Sequence, residues 1–233
     1  MSSLESAKPT VFKYHFKTKE QKEHTFEVVL DAHTHNVIHD SALKAGNFQK
    51  PEWAKLDHHK CTNCPYNSDS TPYCPVALNI SHIVDTFQND LSYHVVEVSV
   101  ESHERQYNKK TDLQTALQSL LGLVMAASDC QHMNFLKGLV KTHLPFSNLH
   151  ETTIRIFGYY LQQSLKDKDQ SSFSIKAHAD ILSNRYRQLA ILNKFMMKRI
   201  QSIQTKGECI QNAIIILNGY AALIPLENLI DLD

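Results

Sequence analysis

The chain has 233 residues, with 24 lysines and arginines against 24 aspartates and glutamates, so its formal net charge is zero. That balance excludes the electrostatic footprint of a nucleic-acid or anionic-membrane binder, and the length suits one large domain or two small ones. No run approaches the roughly 20 apolar residues of a membrane span, the polar start is no signal peptide, and five cysteines without paired spacing are no secreted disulfide framework, so a soluble cytoplasmic protein is expected.

Residues 1–10 read as a loose tail. Phe12, Tyr14 and Phe16 then alternate with polar residues and share one face of a strand, as do Phe26, Val28 and Leu30 in a second. A charged link, Thr18–Glu23, joins them. A third short strand is expected near Asn36–His39, and residues 40–57 read as irregular. Asn79–Phe87 has Ile80, Ile83 and Val84 on one side, the pattern of a short helix. Val96, Val98 and Val100 alternate with Glu97 and Ser99, and a polar turn at Ser102–Arg105 leads to a return strand, Gln106–Lys109.

From Thr111 the period changes from 2 to 3.6. Thr111 and Gln114 have capping-box spacing ahead of the stripe Leu113, Ala116, Leu117, Leu120, Leu121 and Val124. Ser128 or Asp129 could cap a helix carrying Met133, Leu136, Leu139 and Val140. Asn148 and Glu151 form another capping box, opening a helix through Ile154, Phe157, Tyr160, Leu161 and Leu165. A polar linker, Lys166–Ser172, precedes a long helical stretch from Ile175 to Gln204, and Cys209–Leu223 reads as a last helix stopped by Pro225. The expected fold is α+β: a small antiparallel sheet over residues 11–110 with an insertion, and a helical bundle over 111–233 packed on it.

The insertion is the stretch HHKCTNCPYNSDSTPYCPVALN, which holds Cys61, Cys64 and Cys74 at C-x2-C-x9-C spacing. In a reducing compartment such a cluster points to metal rather than disulfides. Two thiolates grip an ion from a tight turn, and the polar loop folds back to deliver the third. His59 would complete a local site of three thiolates and one imidazole, and a nearby ligand costs little chain entropy to recruit. Cys130 is the competing fourth ligand. It would make an all-thiolate site and tie the knuckle to a later helix. Zinc is the expected metal. An iron–sulfur cluster is the alternative, because Cys64 and Cys74 are each followed by proline as at cluster ligands. Thiols packed as small hydrophobes are the plain alternative to both.

The CTNCPY and YCPVALN segments, together with ERQYNKKTDLQTALQSLLGLVMAASDC and HLPFSNLHETTIR, resemble an uncharacterised bacterial family known only as a domain of unknown function. The resemblance runs from Phe12 to the C-terminal helix. It implies that sheet, knuckle and helices form one unit, and it favours His59 over His58, because the family pattern places a histidine two before the first cysteine. It assigns no activity, and His33 and His35 do not belong to its pattern.

Other motifs read more plainly. Asp31, His33 and His35 resemble the His-x-His of metal-dependent hydrolases, but those need a βα barrel, and the stretch reads as a polar hairpin turn. His150 and Glu151 form half a zincin motif, with Ile154 where the second histidine belongs, so Glu151 and Arg155 are expected to form an ion pair one turn apart. Cys130 stands near a helix start, where the dipole could activate it, with Met133 and His143 on the same helix. Cys209 reads as inert packing. The expected function is a metal-stapled binding or regulatory module for a protein partner, a second copy of itself or a small ligand. A redox sensor or enzyme using Cys61, Cys64, Cys74 and Cys130 is the alternative.

Overall fold

The computed structural model describes residues 8–38, 49–165, 175–203 and 205–224. Four strands form one antiparallel sheet: β1 (Thr10–Thr18), β2 (Glu23–Leu30), β3 (Val95–Glu101) and β4 (Gln106–Asp112), in the order β2-β1-β3-β4. The alternation in the sequence sets its two faces. Phe12, Tyr14, Phe16, Phe26, Val28, Leu30, Val96, Val98 and Val100 are all buried on one face. The other carries charge across strands, with Lys13 paired to Glu27 at 3.3 Å and Lys110 to Glu97 at 3.0 Å.

Beyond β2 the chain turns on Asp31, whose Oδ1 accepts hydrogen bonds from the His33 and Thr34 amides at 2.9 and 2.7 Å. This is the expected polar turn. The third strand expected near Asn36–His39 reduces to a single bridge between Leu30 and Val37, and His39 lies outside the described residues.

Among the described residues six α-helices follow: α1 (Pro75–Phe87), α2 (Leu113–Ala126), α3 (Lys137–Lys141), α4 (Leu149–Ser164), α5 (Ile175–Gln201) and α6 (Cys209–Leu223). Helix α1 starts four residues before the expected Asn79, because Pro75 is suited to a first helical position and Cys74 caps it. At α2 the cap is Asp112, whose carboxylate accepts from the Thr115 amide at 2.9 Å. Thr111 is not the cap, because β4 pairs as far as Asp112 opposite Val95. The helix expected after Ser128 or Asp129 begins instead as a 3-10 turn, Gln131–Leu136, with Cys130 at its N-cap. The capping box at α4 forms as expected: the Asn148 side chain accepts from the Glu151 amide, and the Glu151 carboxylate accepts from the Asn148 amide, both at 2.9 Å. That commitment of Glu151 leaves Arg155 to donate to the Leu139 and Thr142 carbonyls, so the expected ion pair gives way.

Of the stripe expected on α4, Phe157 and Tyr160 pack against the core while Ile154, Leu161 and Leu165 do not. Thr153 and Ile156 are buried, whereas Ile154 and Leu165 are each 57% exposed. Helix α6 has the bounds read from the sequence; the expected linker at 166–172 and the stop at Pro225 lie outside the described residues. Between α5 and α6, Gly207 donates to the Gln88 carbonyl at 3.1 Å, and a Cβ there would stand 2.0 Å from the Asp90 carbonyl oxygen, so only glycine lets the turn close on the end of α1.

Helix α2 is central: it packs against the sheet, α1 and α6, and α6 packs against α5. Its Leu117 and Leu120 are fully buried. Replacing either with alanine is expected to cost about 2–5 kcal/mol in chemical denaturation, because a packed core collapses only partly around the lost volume.

One polar group crosses this core. The Tyr14 hydroxyl lies 2.9 Å from Ser119 Oγ on α2 and 2.6 Å from His143 Nε2 beyond α3. Burial, aided by the charge of Arg155, lowers the His143 pKa from 6.5 to about 3. The native state therefore keeps this imidazole neutral at pH values where the unfolded chain protonates it. Stability contributed by the neutral ring is full above the unfolded pKa and falls as pH drops below it. Between pH 7 and pH 5 this group should remove about 2 kcal/mol. His143→Gln keeps a hydrogen-bonding group without a titration, and urea denaturation of the two proteins should show a shallower pH dependence in the variant.

Candidate metal centre

The knuckle is held in place by backbone before any ligand is considered. The Leu56 amide donates to the Pro72 carbonyl at 2.9 Å and the Cys74 amide to the Ala54 carbonyl at 2.8 Å, so the two ends of the loop lie side by side. Within it the Cys64 amide donates to the Cys61 carbonyl at 3.1 Å, closing the tight turn that the two-residue gap predicts. Cys74 ends the loop at the start of α1.

Two side chains dock this loop onto the segment carrying Cys130. The Tyr66 hydroxyl donates to the Asp129 carbonyl at 2.6 Å and accepts from the Gln131 amide at 3.1 Å, holding the backbone on both sides of Cys130. His132 Nε2 lies 2.8 Å from the Asn63 carbonyl, an acceptor, so this nitrogen donates. These bonds reach across more than 60 residues.

The four thiols are electrostatic neighbours. Burial pushes Cys130 up to about 12, with Cys74, Cys61 and Cys64 adding to the rise. Burial likewise pushes Cys61 up to about 11, with Cys74 and Cys64 adding, and raises Cys74. Burial of Cys130 works against the dipole activation considered from the sequence. The thiols are grouped but not drawn into a shell: among the described residues no three His, Cys, Asp or Glu side chains are arranged to hold a metal ion. His59 has a positive φ of 49° and stacks edge-on against His58 at 4.8 Å. His58 Nε2 lies 2.7 Å from Ser202 Oγ.

Two cations flank the thiols. Arg199 on α5 is only 1% exposed, and its guanidinium donates to the carbonyls of Trp53, Lys55 and Leu56 at 2.8, 2.6 and 2.8 Å. Among the described residues its Nε has no partner and no carboxylate forms an ion pair with it. Burial lowers its pKa, while Cys74, Cys61 and Cys64 act the other way. Lys137 donates to the Ser128 carbonyl at 2.6 Å and to Asn36, and burial lowers its pKa to about 8.

The chemistry open to this arrangement is soft-ligand binding. Thiols bind zinc or iron–sulfur clusters as thiolates, and nearby buried cations favour that charge. Neither Arg199 nor Tyr66 was singled out in the sequence. The signal for Arg199 was available: it falls on the α5 stripe of Leu189, Leu192, Met196 and Ile200, where a charge is out of place.

The remaining candidates separate from this centre. His33 and His35 lie on the Asp31 turn, His150 is exposed at the start of α4, and Cys209 is buried, its thiol donating to the Phe87 carbonyl at 3.1 Å.

Arg199→Met should cost at least about 3 kcal/mol, because three carbonyls lose charge-assisted donors. Arg199→Lys should recover little of it, because an ammonium cannot match the guanidinium fork. Denaturant titration of both variants checks this.

No helix among the described residues is long and apolar enough to cross a membrane. Comparison with curated proteins and with solved structures gave no match. A family model matches residues 11–230, nearly the whole chain, and the chain belongs to that family, described as Domain of unknown function (DUF6901).

Proposed function

We propose that the chain is a non-catalytic cytoplasmic binding or regulatory module whose knuckle and helices are stapled together by a zinc ion on Cys61, Cys64, Cys74 and Cys130. The observation that carries this reading is the Tyr66 hydroxyl, which grips the backbone on both sides of Cys130 from two residues beyond Cys64. Cys130 is thereby preferred to His59 as fourth ligand, since the fold has already met the entropic cost of bringing it near.

Four thiolates around one divalent ion leave a net negative charge, and Arg199 and Lys137 are suited to offset it. Four protein ligands leave no position for water or substrate, so the ion would cross-link rather than catalyse. An iron–sulfur cluster on the same thiols is the second reading, favoured by the prolines after Cys64 and Cys74. It would make the centre redox-active.

The test is metal content and absorption of anaerobically purified protein, followed by the same measurement on Cys130→Ser and His59→Ala. Stoichiometric zinc in a colourless protein, lost in Cys130→Ser and kept in His59→Ala, is the expected result. Loss only in His59→Ala would restore the local site, brown protein containing iron would establish the cluster, and metal-free wild type would end the metal reading.

A further inference from the structure

We propose that a cavity in the helical half binds a small monocarboxylate with a compact apolar body. The cavity measures about 150 Å³ and is walled by side chains including Leu139, Val140, Ile156 and Leu189. A dry apolar cavity of about this size accepts a benzene ring. Apolar walls with a few polar groups are the usual composition of a small-ligand site.

Two polar groups on the lining lack what a carboxylate would supply. Arg155 donates from one terminal nitrogen, to the Leu139 carbonyl at 3.2 Å and the Thr142 carbonyl at 2.6 Å. Among the described residues its other nitrogens have no hydrogen-bond partner, and Glu151, the acid one turn away, is committed to the Asn148 amide. Tyr186 lies across the helices on α5, 3% exposed, with its ring edge-on against Phe135 at 5.2 Å. Its hydroxyl has no hydrogen-bond partner among the described residues and, unlike the Arg199 Nε, is not sealed off from solvent. Arg155 and Tyr186 also lie within each other's electrostatic reach.

A carboxylate between them would accept from the guanidinium and the phenol together, and its apolar body would fill the space behind. His143, also on the lining, is neutral and already bonded to Tyr14, so it adds no opposing charge. A neutral amide would lack the ionic contact, and an amine would meet Arg155 as a like charge.

The probe is benzoate, with benzamide and benzylamine as controls, titrated calorimetrically into the full chain. Benzoate should bind saturably and at least tenfold more tightly than benzamide, and benzylamine should not bind. Arg155→Met should reduce benzoate to the level of benzamide. Arg155 also holds two carbonyls, so a second variant leaves it in place: Ala221→Leu fills the cavity from α6 and should abolish binding without lowering the thermal midpoint. No binding of benzoate by the wild type, equal binding of benzoate and benzamide, or unchanged binding in Ala221→Leu would each overturn the proposal.

Discussion

The bond between the Arg199 guanidinium and the carbonyls of Trp53, Lys55 and Leu56 fixes how the two parts of the chain meet. The described residues just before the knuckle, 49–57, have little regular structure beyond a single 3-10 turn, so the Trp53 and Leu56 carbonyls would otherwise lack donors. A long helix supplies them from the far side of the sequence. Burying a cation is costly, and the cost is tolerable only where hydrogen bonds and nearby electron-rich groups surround it. Carbonyls provide the first, and the thiols of Cys61, Cys64 and Cys74 stand within the field of the charge. The same contact therefore closes the core and biases the chemistry of the knuckle.

The sheet was readable because one of its faces is wet. Lys13, Glu27, Glu97 and Lys110 had to point away from Phe12, Val28 and Val98, and that requirement is written residue by residue. Helix α6 was equally legible, since an apolar run between a buried cysteine and Leu223 has few other uses. The misses occur where two local signals compete. Thr111 and Asp112 can each cap a helix, and only the pairing of Asp112 with Val95 decides between them. Helix α4 has apolar residues around much of its circumference, so its sequence alone does not say that Ile156 faces inward and Ile154 outward.

The grouping of Cys61, Cys64 and Cys74 was visible for the opposite reason: they are close in sequence. The nearness of Cys130 was not visible, because it rests on a tyrosine hydroxyl and a histidine ring bonding to backbone more than 60 residues away. No spacing rule encodes such a contact. Arg199 left a trace as a charge on an apolar stripe. The placing of Arg155 and Tyr186 on one cavity wall left none, since each looks ordinary on its own helix.

Asp112 belongs to two elements at once: it is the last residue of β4 and the cap of α2. The joint between sheet and helix therefore has no slack. One residue inserted after it would rotate all of α2 by about 100° and advance it by about 1.5 Å. Leu117 and Leu120 would swing off the core together, and no loop exists there to absorb the twist. Over generations this makes the joint a place where length is frozen while side chains can drift, and variation in chain length within the family should gather in its loops instead.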